Sequence, residues 1–245
     1  REPILKLGKM ITDRVPIKLG FEKLTADSPE YWGLAPICTD EQANIALKMG
    51  VRKPKTLKQM VQITGMDEKE LEKQLEQMSF NGLLEYNWEN PQHEKQYVLP
   101  MFVPGSAEFT NMNSTVLEEH PEMGRFFERM SRLPLEKITP MVPPGGAGIG
   151  MHVIPVEKAI DMNNEAISLE KISYWLDKYD GKYAASPCSC RKSRKTFDEG
   201  CADDPADWCV AVGDMADYVV ETGKGGRYIT KEEALEIFKK AEDNG

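Results

Sequence analysis

Four of the five cysteines in this chain of 245 residues crowd into one stretch: Cys188, Cys190, Cys201 and Cys209. Their spacing is Cys-x-Cys, then ten residues to the third and seven more to the fourth. In a reducing compartment, thiols gathered this closely share a metal more often than they form disulfides. Four thiolates suit structural zinc or an iron–sulfur cluster. Zinc sites usually rest on two close ligand pairs, each separated by two to four residues. Here Cys188 and Cys190 make one close pair, and Cys201 and Cys209 stand too far apart to make the second. A [4Fe–4S] cluster spreads its ligands over several irons, so the uneven spacing fits it better; zinc stays open as the alternative. The C-x2-C-x2-C run of ferredoxins is absent.

A thiolate-bound cluster is negative, and Arg191, Lys192, Arg194 and Lys195 follow the first pair directly. The basic run reads either as charge compensation, as a solvated loop, or as a docking patch for an acidic partner. Asp204-Pro205 is a helix-start signal, and the helix it predicts runs to Thr222. That would place Cys209 in its second turn, near the positive end of the dipole. Trp208 reads as a shield for the cluster or as core.

These residues need a scaffold, and the elements are partly legible. Thr39 with Gln42 and Thr56 with Gln59 are capping boxes, opening helices that stop near Gly50 and Gly65. Asp67 with Glu70 opens a third helix, whose apolar positions Leu71, Leu75 and Met78 keep helical spacing until Asn81-Gly82. Two strands are predicted over 83–88 and 96–102, joined by a polar loop. Three helices and a hairpin is the order of a winged helix-turn-helix. Residues 105–138 read as helical, with Phe109, Met112, Val116, Met123, Phe126, Phe127 and Met130 as core candidates. The Pro- and Gly-rich segment 140–150 reads as a linker. The second half predicts a strand over 152–156, a helix over 168–179, a strand over 183–186, and a last helix capped by Thr230 and Glu233. The expected fold class is α+β, mainly helical. It comprises a winged-helix-like domain with a helical extension over residues 1–140 and a small α/β cysteine-cluster domain over 151–245.

Composition narrows the function classes. The net charge of −9 disfavours nucleic acid and acidic membrane surfaces. No apolar run reaches membrane-spanning length, and Arg1–Lys6 lacks a signal-peptide pattern, so a cytoplasmic location is the default expectation. In the recognition position, the third helix carries Asp67, Glu68, Glu70, Glu72 and Glu76 against Lys69 and Lys73, the wrong sign for phosphate contact. Cys38 reads as a buried apolar thiol. His93, His120 and His152 lack ligand spacing, and Asp204 reads as a helix cap rather than a catalytic acid.

Several segments together resemble a family. Val153–Ile160, Pro187-Cys188-Ser189-Cys190-Arg191, Cys201, Cys209 and Ile229–Leu235 are similar to a segment of iron–sulfur oxidoreductases of anaerobic bacteria and archaea. Some members continue into ferredoxin-type clusters and a flavin- and pyridine-nucleotide-binding reductase. The resemblance covers roughly residues 40–245, specific at the cysteines and loose elsewhere. It implies iron–sulfur electron transfer within a larger redox assembly. The chain departs from the longer members in having no ferredoxin motif after Cys209 and no strand–GxGxxG–helix fingerprint; Gly145–Gly150 follows Pro143-Pro144 and leads into a strand. FAD or NAD(P) is therefore expected only on a missing region or on a partner.

The expected function is an electron-transfer module holding one [4Fe–4S] cluster on Cys188, Cys190, Cys201 and Cys209, a domain or subunit of an oxidoreductase that is not catalytically complete alone. The expected partners are further domains of the same polypeptide or a redox protein. The alternatives are a structural zinc scaffold and a redox-responsive winged-helix regulator.

Overall fold

The computed structural model describes residues 1–12, 25–102, 105–125, 127, 172–179, 181–199 and 207–243. Among these, helices dominate, and six strands form two three-stranded antiparallel sheets. The expected linker at 140–150, the strand at 152–156, Phe126, Met130 and Cys201 lie outside the described residues.

Helices α1 (Glu2–Thr12), α2 (Pro29–Leu34) and α3 (Asp40–Met49) pack together, α1 against both others. Ile4, Leu7 and Ile11 of α1 are fully buried. The short strand β1 (Lys55–Thr56) leads into α4 (Leu57–Thr64), then α5 (Glu68–Phe80). Local chemistry starts these helices: Thr39 and Thr56 close reciprocal capping boxes with Gln42 and Gln59, and Asp67 accepts from the amides of Lys69 and Glu70. The strands β2 (Glu85–Asn87) and β3 (Gln96–Val98) are shorter than the sequence predicts, and β3 lies between β1 and β2.

The expected helix over 105–138 is divided. Helix α6 (Ser106–Met112) ends where Asn113 turns extended, and the Asn113 carboxamide then caps α7 (Ser114–Glu119) by accepting from Val116 N at 3.2 Å. A second break falls at His120, whose successor Pro121 disfavours helical backbone before it.

In the second half, α8 (Ile172–Lys178) precedes β4 (Tyr183–Ser186), and α9 (Ser189–Lys195) follows it directly. The predicted helix through residue 209 is corrected here. Cys209–Val212 is a strand, β5, paired antiparallel with β4. Helix α10 (Asp214–Glu221) begins only after Gly213. Alternation wins over the helical reading because Val210 and Val212 pack on one side of β4 and Ala211 on the other. Strand β6 (Arg227–Ile229) flanks β4 on its other edge, and α11 (Lys231–Asp243) opens with the expected Thr230–Glu233 box.

One apolar cluster runs through both halves. Leu71, Leu75, Met78, Leu83 and Leu84 share it with Ala184, Ala216, Tyr218 and Val219. The Tyr218 hydroxyl donates to Leu84 O at 2.6 Å, joining α10 to the chain before β2. Lys224 makes a second join: fully buried, its ammonium donates to Ser79 O, Phe80 O and Thr222 O at 2.9, 2.8 and 3.0 Å. A cation at the carboxyl end of α5 adds a favourable charge and donors to the last carbonyls of the helix. A smaller cluster of Leu176, Tyr183, Ala185, Ile229 and Ala234 lies on the other side of β4.

Candidate metal centre

Two adjacent strands and one helix start bring three of the four predicted cysteines together. Ser186 ends β4, and Cys188 follows as the N-cap of α9, with Cys190 in the first turn. Cys209 opens β5 directly opposite Ser186. The thiols of Cys190 and Cys209 are both within hydrogen-bonding reach of the Cys188 sulfur. Cys201 lies outside the described residues. Cys188 and Cys209 are half-buried, and Cys190 is exposed.

The cluster ionises unevenly. Hydrogen bonds from Cys190 and then Cys209 hold the Cys188 thiol far below its usual range, with smaller help from the amides of Arg191 and Cys190. No full side-chain cap bond forms at Cys188, so these amides act as nearby dipoles. Cys190 and Cys209 are pushed up, first by their bonds to Cys188, and half-buried Cys209 by burial as well. Cys188 is thus the most acidic of the three thiols. Among the described residues, no group of three or more His, Cys, Asp or Glu side chains is arranged as a metal-binding set.

Cys209 opens a strand rather than lying near a helix N-terminus, and side chains of the basic run make packing contacts around the site. Lys192 donates to Met112 O at 2.8 Å and Ser114 Oγ at 2.7 Å, and Arg194 pairs with Glu199 at 2.6 Å. Arg191 stacks on Trp208, its guanidinium carbon 3.8 Å from the ring centre, and Lys240 reaches the same ring at 4.6 Å. Trp208 is 9% exposed, so α9 and α11 meet on the residue just before Cys209. The basic side chains hold the site together.

Helix α9 is fastened to α6 and its successors. The Asn111 carboxamide donates to Ser189 O, the carbonyl between Cys188 and Cys190. Ser193 Oγ donates to Gly124 O at 2.7 Å, and a Cβ at Gly124 would stand 2.5 Å from Thr196 Cγ2. Sequence reasoning missed Asn111, Ser186 and Gly124; none belongs to a recognisable local pattern. Glu108 sits nearby, its carboxylate accepting from Gly105 N at 2.6 Å while burial pushes it up to about 7.

The other candidates lie apart. Cys38 is buried and pushed up to about 12 by burial, consistent with an apolar thiol. It borders a cavity of about 570 Å³ with Arg1, Ile37, Asp40, Gln42 and Asn81, where no second thiol converges. His93 occupies an exposed turn, and His120 lies 3.5 Å from Glu122. His152, Asp203 and Asp204 are outside the described residues.

No family model, curated protein or solved structure matches the chain. No helix among the described residues is long and apolar enough to cross a membrane.

Proposed function

We infer that the chain is an iron–sulfur electron-transfer module of an oxidoreductase, with Cys188, Cys190, Cys201 and Cys209 as the ligands of one [4Fe–4S] cluster. The observation that carries this reading is the convergence of Cys188, Cys190 and Cys209 from two strands and a helix start. An all-thiol donor set suits soft metals and clusters. Its surroundings fit as well: Ser186 Oγ and Asn111 Oδ1 are buried without hydrogen-bond partners beside it, as polar groups bordering a ligand site would be. A bound cluster supplies one-electron uptake and release without bond changes in the protein. The chain's own residues fix the sulfurs: β4–β5 pairing sets Cys209 opposite Ser186, two residues before Cys188, Asn111 orients the Cys-x-Cys turn, and Trp208 under two cations limits water.

The segment from α3 to β3 is read as a winged helix serving as a docking scaffold rather than a DNA reader. Glu68, Glu70 and Glu72 of α5 are exposed, and Glu76 is tied to the hairpin through Lys95 at 2.7 Å. Such a surface repels phosphate. Electron donors and acceptors, with any FAD or NAD(P), belong to further domains or a partner.

The test is iron, acid-labile sulfide and zinc content on protein purified without oxygen, with an absorption spectrum of the same sample. About four irons and four sulfides per chain are expected. Cys209→Ser and Cys201→Ser lose them, whereas Cys38→Ser keeps them. About one zinc and a colourless sample would make the site structural and overturn the redox reading.

A further inference from the structure

Ser186 is a serine where the strand offers only apolar company. Residues alternate across β4, and Tyr183 and Ala185 join the smaller core cluster, while Ala184 joins the larger one. Ser186 therefore shares the Ala184 face. On β5, Val210 and Val212 pack with the smaller cluster and Ala211 with the larger, which puts Cys209 on that same face. The register pairs Ser186 with Cys209. Directly opposed residues of an antiparallel pair hold their Cβ atoms about 4.5–5.5 Å apart. The side chains of Ser186 and Cys209 thus stand opposite each other across the ladder.

Two further observations distinguish this serine from a core filler. It is fully buried, and its Oγ has no hydrogen-bond partner among the described residues. Buried hydroxyls are almost always paired, so an orphan beside a ligand site marks a bond made in another state. The sulfur of a metal-bound cysteine is a thiolate and purely an acceptor.

We propose that Ser186 completes the metal site, its hydroxyl donating a hydrogen bond to the metal-bound Cys209 thiolate. The proposal rests on the cysteine reading above. The bond draws negative charge from the sulfur, which favours the reduced state of a cluster and raises its midpoint potential. It also anchors Cys209 against loss of the metal.

The experiment compares wild type, Ser186→Ala and Ser186→Thr as full chains, loaded and metal-free. With a cluster bound, the Ala variant is expected to keep its iron and sulfide, titrate at a lower midpoint potential, and regain the wild-type value when the substitution is Thr. The metal-free Ala variant melts at or above wild type, since it loses an unpaired buried hydroxyl. Equal potentials in loaded wild type and Ala variant overturn the role of Ser186 while leaving the cluster reading intact. If wild type carries zinc, the redox reading falls. Ser186 is then read by chelator competition, where faster zinc loss from the Ala variant supports the bond and equal loss refutes it. A chain that binds neither metal overturns both.

Discussion

Replacing Lys224 by Met should cost about 2–4 kcal/mol of stability. The substitution keeps the aliphatic stem and deletes the ammonium, which fills the corner between the end of α5 and the end of α10. Three carbonyls then change state. Thr222 O loses its side-chain donor altogether. Phe80 O keeps the Asn113 carboxamide at 2.7 Å, and Ser79 O keeps the Gly82 amide at 3.1 Å and the Tyr218 hydroxyl at 3.3 Å. One orphaned buried acceptor costs about 1–3 kcal/mol, and two weakened ones add less than that each. Relief from burying a charge returns part of the sum. The pH dependence carries its own sign. Burial pushes the folded ammonium down to about 7 from 10.5, so the unfolded chain binds more protons across that window. Stability attributable to Lys224 therefore rises with pH between those values. Wild type should gain on the Lys224→Met variant between pH 7 and pH 9, the comparison cancelling the tyrosines and thiols that also titrate there. Urea unfolding followed by far-ultraviolet circular dichroism at several pH values reads both quantities. A variant within about 0.5 kcal/mol of wild type at pH 7 would refute the bonding argument, because surface-like substitutions fall in that range. A gap that does not widen by pH 9 would mean the carbonyls keep the proton on.

Two glycines with similar backbone separate strain from space. Gly65 has φ +73 and open surroundings, so Gly65→Ala should cost about 1–2 kcal/mol from left-handed backbone alone. Gly82 has φ +86, and a Cβ there would stand 2.4 Å from Thr110 N, so Gly82→Ala should cost about 3 kcal/mol or more. Equal losses in urea midpoint would show that the approach of α6 to the end of α5 yields freely. Glu108→Gln tests a raised carboxyl. Its folded value of about 7 against the ordinary 4.5 means the stability it contributes is present below 4.5 and fades as pH rises through 7. Unfolding midpoints should therefore show wild type losing ground to the Gln variant between pH 4.5 and 7; parallel curves would place the carboxyl in a water-like setting.

The residues that could be read without a structure act within a few positions of themselves. Thr39, Thr56, Asp67 and Thr230 each cap a helix by bonding amides two or three residues on, so the sequence suffices to locate α3, α4, α5 and α11. The i, i+4 spacing of Leu71 and Leu75 likewise marked a buried face, and both are fully buried. Helix α1 carries the same kind of spacing in Ile4, Leu7 and Ile11, all buried. The cysteine segment announced itself by residue type and spacing, and Cys38 separated from it by distance alone.

Tertiary structure decided what local chemistry left degenerate. Cys209-Val-Ala-Val continues a helix on paper, and it becomes β5 because β4 offers a ladder and two apolar faces that a helix would leave unfilled. That choice places Cys209 beside Ser186 and Cys188 rather than at a helix end. The basic run after Cys190 packs against α6 and Trp208, contacts that no local pattern announces. Nothing within a few residues of Lys224 marks it as buried; α5 supplies the carbonyls that its ammonium meets. In each case the partner is far away in sequence, and its bond exists only once the chain has closed on itself.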